Sequence, residues 1–238
     1  MRRGGFLIAV VSLAAWSGAA LARPPIVVEL YTAQGCASCS KASAHVADLA
    51  SDKDVLPLTF DVDYWDYLGW KDTLAKPEFT DRQKAYARQL GVAEVYTPQV
   101  VVDGRAQTAG VRPEDIDRLV REARRVRLDP PEAAFGDAHV DVGGGRHPSG
   151  GADVWLVRYD PHEQTIEVKD ADNRGHSVVE RNAVVQFEKL GEWKGRPKRF
   201  KLPAAPADNL DTVVLLQAKD GGRILGVWRD AKDRDAKD

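Results

Sequence analysis

Between residues 26 and 127 the apolar positions change their period several times, and each change marks an element. Ile26-Val27-Val28-Glu29-Leu30-Tyr31 is a β-branched and aromatic run that predicts a buried strand. From Ser40 to Ser51 the side chains of Ala42, Val46, Leu49 and Ala50 share one helical face. Val55 to Asp63 predicts a second strand, ending in a polar and aromatic stretch through Trp70-Lys71-Asp72. Pro77 can open the next helix, because a first turn needs no N–H from it. Phe79, Ala85, Tyr86, Ala87 and Leu90 are the apolar positions of that helix, and Gly91 stops it. Gln99 to Val102 is a strand turned by Asp103-Gly104, a strong hairpin signal. Arg105 to Ala109 forms the return strand, and a helix follows from Pro113 to about Arg127. The order is βαβαββα, an α/β domain over residues 23–127.

After Leu128-Asp129-Pro130-Pro131, which reads as a linker, the pattern becomes strand after short strand. The expected segments are His139–Val142, Asp153–Tyr159, Thr165–Lys169, Val178–Leu190, Thr212–Ala218 and Ile224–Trp228. Turns rich in Gly, Asp, Pro and Asn separate them, which predicts a β-rich antiparallel sandwich or small barrel over residues 128–229. The glycines around Arg146-His147-Pro148 are not bracketed by a strand and a helix, so they read as a hairpin tip rather than a phosphate loop. His139, His147, His162 and His176 show no ligand spacing. Residues 230–238 alternate in charge and are expected to be disordered.

At the other end, Arg2 and Arg3 precede an apolar stretch from Phe6 to Ala15 and a small-x-small pattern at Ala20-Leu21-Ala22. This predicts an export signal over residues 1–22, with an uncleaved anchor as the alternative. Ser, Gly and Ala weaken the run as a membrane span, and no later segment is apolar enough to form one. The net charge of −2 becomes −4 once the two arginines of the signal are removed. That balance offers no electrostatic reason to expect nucleic acid or an anionic membrane as a partner. The arginines from Arg118 to Arg127 interleave with acids around an apolar face and read as a solvated helix surface.

Cys36-Ala37-Ser38-Cys39 contains the only two cysteines of the chain. The pair falls between the first strand and the first helix, where unpaired N–H groups and the helix dipole favour a thiolate over a thiol. Cys36, nearer the helix start, is expected to be the more exposed and to act as the attacking or attacked sulfur; Cys39 would resolve the mixed disulfide. The alternative is a static bridge, which would close so small a loop that it constrains the unfolded chain little. Glu29 lies in an apolar strand and would be costly there unless paired or protonated. Trp65, Tyr67 and Trp70 fit two readings, one in which they line a substrate groove near the cysteines and one in which they cover the sheet edge or the domain junction.

The element order resembles thioredoxin, most specifically through Tyr86-Ala87-Arg88-Gln89-Leu90-Gly91-Val92, Thr97-Pro98 and Asp103-Gly104. By that resemblance Pro98 is a cis-proline beside the cysteines, Thr97 offers backbone hydrogen bonds to a substrate, and Glu29 is a buried proton acceptor. A closer resemblance covers nearly all of the chain after the signal. Val28-Glu29-Leu30-Tyr31-Thr32, Gln34-Gly35-Cys36, Ser38-Cys39, Val62 to Asp72, Val95 to Gly104, Asn173-Arg174-Gly175 and Leu190-Gly191-Glu192-Trp193 are similar to the motifs of a secreted bacterial thioredoxin-like family catalogued as a domain of unknown function. That family usually carries histidine where this chain has Asp61, and proline where it has Ser40.

Three functions from different classes follow. The first is a periplasmic thiol–disulfide oxidoreductase, catalysed by Cys36, Cys39 and Glu29, with Thr97, Pro98, Trp65 and Trp70 binding substrate. It would need no cofactor or metal, and its partners would be exported proteins with thiols or disulfides and a second redox protein. The second is a soft-metal handler that uses the two thiolates and a borrowed third ligand, with only His45 nearby. The third is a binding module that uses the β-rich half for recognition.

Overall fold

The computed structural model describes residues 23–230, so the expected export signal and all but the first residue of the charged tail lie outside it. The first half follows the predicted order: β1 (Ile26–Thr32), α1 (Ser40–Asp48), β2 (Val55–Asp61), α2 (Pro77–Gln89), β3 (Gln99–Val102), β4 (Ala106–Thr108) and α3 (Pro113–Ala123). Proline opens both α2 and α3. Asp103 and Gly104 turn β3 into β4 at positive φ, as a tight hairpin requires. The segment Asp63–Leu68 winds into a 3-10 helix ended by Gly69 at φ 107°.

The second half contains β5 (Ala133–Gly136), β6 (His139–Val142), β7 (Ala152–Glu167), β8 (Ser177–Trp193), β9 (Lys198–Lys201), β10 (Asp211–Ala218) and β11 (Ile224–Arg229). Its four longest strands do not form a separate sandwich or barrel. They extend the first sheet, giving eight strands in the order β11-β10-β7-β8-β2-β1-β3-β4. The seam is a parallel contact between β2 and β8, with Thr59 opposite Ala183. Side chains close it: Asn182 Nδ2 donates to the Pro57 carbonyl at 2.8 Å, and Thr59 Oγ1 to the Arg181 carbonyl at 2.9 Å. The segments expected as separate strands around residues 153–169 are one long strand. Pro161 sits in it where the register to β8 shifts between Asp160 and Glu163, so the missing N–H breaks no ladder bond.

One face of the large sheet is continuous across the seam. Val27, Tyr31, Leu58 and Phe60 join Val157, Phe187, Val213 and Leu215 in one apolar cluster, covered by Phe79 and Tyr86 of α2. On the opposite face α1 and α3 cover Val28, Leu30, Val100 and Val102. The three-stranded sheet β5-β6-β9 covers β7 and β10 around Trp193. No helix among the described residues is long and apolar enough to cross a membrane.

Candidate functional site

The chain leaves β1 through a tight turn in which Cys36 N donates to the Ala33 carbonyl at 3.0 Å. Cys36 and Cys39 then form a disulfide across the 3-10 turn that leads into α1. Ala37 and Ser38 are exposed, but the sulfurs are not: Cys36 is 0% and Cys39 2% exposed. The expectation that Cys36 would be the more exposed is therefore corrected. The residue sits in the apolar cluster beneath α2, with Tyr64 and Trp65 packed against that cluster.

Gln34, two residues before the disulfide, is the hub of this turn. Its N–H donates to Asp72 Oδ2 at 2.6 Å, and its Oε1 accepts from Trp70 Nε1 at 3.0 Å. Its carbonyl accepts from Asn173 Nδ2 at 2.8 Å, a bond that arrives from the β7–β8 connection 139 residues later. Asp72 Oδ1 also takes the N–H groups of Leu74 and Ala75, so one buried carboxylate organises two turns. Burial pushes the Asp72 carboxyl above its ordinary range, against these hydrogen bonds.

The Thr97–Pro98 peptide is cis, as the resemblance implied, and it does lie beside the cysteines. Thr97 Oγ1 is 3.4 Å from Cys36 Sγ, and Ser38 Oγ lies at the same distance. Burial pushes the nearby Tyr64 hydroxyl up to about 12, so it stays protonated. Trp70 reaches the cysteine turn through Gln34, while Tyr67 is 83% exposed on the same 3-10 segment that carries Trp65.

Glu29 has the partner that its burial demands. Arg82 Nε donates to Glu29 Oε1 at 2.8 Å, and the Tyr86 hydroxyl donates to Oε2. Gln217 of β10 joins them, accepting from Arg82 at 3.1 Å and donating to Tyr86 at 3.0 Å. The carboxylate is thus held in an ion pair between β1, α2 and β10, rather than standing alone as an acid beneath Cys39.

Sequence reasoning missed a second buried acid group, Asp61 on β2 and Glu180 on β8. They are 1% and 2% exposed, and the side-chain hydrogen-bond partner each carboxyl finds is the other. Burial first, then the mutual charge and that of Asp72, pushes Asp61 well above the ordinary carboxylate range. Burial likewise pushes Glu180 up to about 8. The signal was weak in sequence, since Glu180-Arg181-Asn182 is a polar run within the strand and reads as a solvent-facing stretch. Among the described residues no three His, Cys, Asp or Glu side chains are grouped so as to hold a metal ion.

The family model described as a protein of unknown function, DUF1223, matches residues 27–217. The chain belongs to this family. The matched span includes the cysteine turn, Thr97-Pro98, Asn173 and the Asp61–Glu180 pair. A crystal structure of a protein from Agrobacterium tumefaciens is 36% identical, covering 87% of this chain and 94% of that one, with a TM-score of 0.69. HBP35 of Porphyromonas gingivalis is similar in fold, with 11% identity and a TM-score of 0.61 over 88% of this chain and 75% of that one. No curated protein matches the chain.

Proposed function

We propose that this protein is an exported thiol–disulfide oxidoreductase built on a thioredoxin-like half, acting in the bacterial periplasm on thiols or disulfides of exported proteins. The observation that carries the reading is the Thr97 hydroxyl within 3.4 Å of Cys36 Sγ, beside a disulfide that closes a Cys-x-x-Cys turn at a helix start. A hydroxyl donor and a helix N-terminus both stabilise the thiolate that Cys36 becomes on reduction.

In the reducing direction for this protein, a substrate thiolate attacks Cys36 Sγ and the bond to Cys39 breaks, leaving Cys39 as a thiolate that takes a proton. A second substrate thiolate then attacks the substrate sulfur of the mixed disulfide, forming the substrate disulfide and releasing Cys36. Two electrons pass to the protein and no bound cofactor is required; a second redox protein would restore the starting state. The backbone of Thr97, just before β3, would hold a substrate segment, with Pro98, Trp65 and Trp70 shaping its approach. Glu29 supports the site through its ion pair.

The complete burial of Cys36 favours one other reading, a static bridge in a binding module. Equilibration of the protein in glutathione buffers, with the thiol state followed by mass-shift labelling, separates the two. Reversible two-electron titration, and loss of disulfide turnover in Cys36→Ser, supports the oxidoreductase; a bridge that never opens supports the binding module.

A further inference from the structure

The connection from β7 to β8, residues 168–176, is a closed loop that rests on the cysteine turn. It is tied to itself by Val168 N to the His176 carbonyl at 3.0 Å and Gly175 N to the Val168 carbonyl at 2.9 Å. Three of its residues reach across to the site. Asn173, buried, bonds the Gln34 carbonyl. Ala171 lies so close to Gly35 that a methyl added there would meet the Ala171 Cβ at 3.3 Å. Asp170 would stand 3.5 Å from a methyl added at Gly69, in the aromatic segment. A surface loop that only joined two strands would not need a buried side chain aimed at a backbone carbonyl two residues before a disulfide.

We propose that the 168–176 loop is a latch that holds the Cys36–Cys39 disulfide shut, with Asn173 as its catch, and that it sets which thiols reach Cys36. The inference deepens the oxidoreductase reading and names the regulation of the same site. While Asn173 holds Gln34, the 33–36 turn cannot swing out and Cys36 Sγ stays covered. Releasing that bond loosens the turn, which Asp72 and Trp70 still tether through Gln34, and opens the sulfur more often to in-line attack. A partner able to displace the loop would be oxidised readily, and a free thiol would be oxidised slowly. The second half of the chain thereby controls the chemistry of the first.

The test is the rate at which dithiothreitol reduces the bridge in the intact protein, its two thiols becoming a cyclic disulfide as Cys36 and Cys39 become thiols. Asn173→Ala removes the catch, and Gly35→Ala wedges a methyl against Ala171; near-UV circular dichroism identifies which variants keep the fold. Either folded variant is expected to react about tenfold faster than the parent, on the scale of one buried hydrogen bond. Folded variants that react at the parental rate overturn the latch, even if the parent exchanges reversibly with glutathione. If the variants react faster with dithiothreitol yet neither they nor the parent exchange disulfides with a reduced, unfolded protein, the latch stands and the oxidoreductase reading falls.

Discussion

Arg82 and Glu29 form an ion pair with N–O distances of 2.7 and 2.8 Å, their side chains 4% and 0% exposed. The guanidinium also stands 4.3 Å from the ring centre of Phe187 and 5.0 Å from that of Tyr86. Because Gln217 shares the network, the pair joins β1 to β10, which are four places apart in the sheet order.

Breaking one side of that pair leaves a buried charge with no counter-ion. Arg82→Met is expected to cost about 3–5 kcal/mol, lowering the melting temperature by roughly 10 °C in a chain of this size. The double variant Arg82→Met with Glu29→Gln should recover a large part of the loss. Thermal melts of the parent, Arg82→Met, Glu29→Gln and the double variant give the coupling; additive losses would show that the pair is not a unit.

The Asp61–Glu180 pair predicts a stability that depends on pH. In the unfolded chain Glu180 gives up its proton near the ordinary carboxylate value, whereas in the fold burial holds the proton up to about 8. Between those values the native state binds more protons, so stability falls as pH rises through the window and levels off above it. The loss is on the order of a few kcal/mol. Glu180→Gln should flatten the curve and be more stable than the parent above pH 8. Denaturant melts from pH 5 to 9 check this, and an unchanged slope in the variant would assign the dependence to other groups.

Thr97→Val removes the hydroxyl beside Cys36 Sγ while keeping the shape of the side chain. In the reduced protein the Cys36 thiolate should lose a donor, and alkylation by iodoacetamide at neutral pH should slow by up to about tenfold. The pH–rate profile should move to higher pH. Thr97→Ser, which keeps the donor, should restore the parental profile.

A chain ended after Arg127 would leave the β2 edge and the apolar face around Leu58 and Phe60 without β8 and Phe187. Such a fragment is expected to aggregate or to lack a cooperative melt. A sharp, reversible transition would show that the first half folds without the strands that extend its sheet.

Much of the first half was legible because its elements are announced locally. Period changes, Pro77, Pro113, Gly91 and Asp103-Gly104 each act within a few residues, and all fall at observed boundaries. Thr97-Pro98 was legible through a resemblance. What joins the halves was not, because Thr59 meets Ala183 across more than a hundred residues and local alternation says nothing of which strand lies beside which. A proline and its polar neighbours look like a turn unless the register shift is known, so local pattern divides the strand through Pro161. Strands β5 and β9 carry little signal, since Ala133-Ala134-Phe135-Gly136 lacks polar alternation and Lys198-Arg199-Phe200-Lys201 has a single apolar residue. At the site, Cys36 and Cys39 were evident from spacing, but their burial in the apolar cluster and the Asn173 bond to the Gln34 carbonyl beside them were not. A bond that ends on a backbone carbonyl leaves no pattern in the sequence, although Asn173-Arg174-Gly175 stands out as a motif.

The parallel seam between β2 and β8 also has a consequence for biosynthesis. A chain emerging amino end first completes β2 long before Ala183 exists, so the edge of β2 away from β1 must wait open while over a hundred further residues are made. Non-local pairing of this kind folds slowly and exposes the early half to misassembly. A chaperone that recognises bare strand edges would therefore meet this protein in its first half, before the closing strand is synthesised.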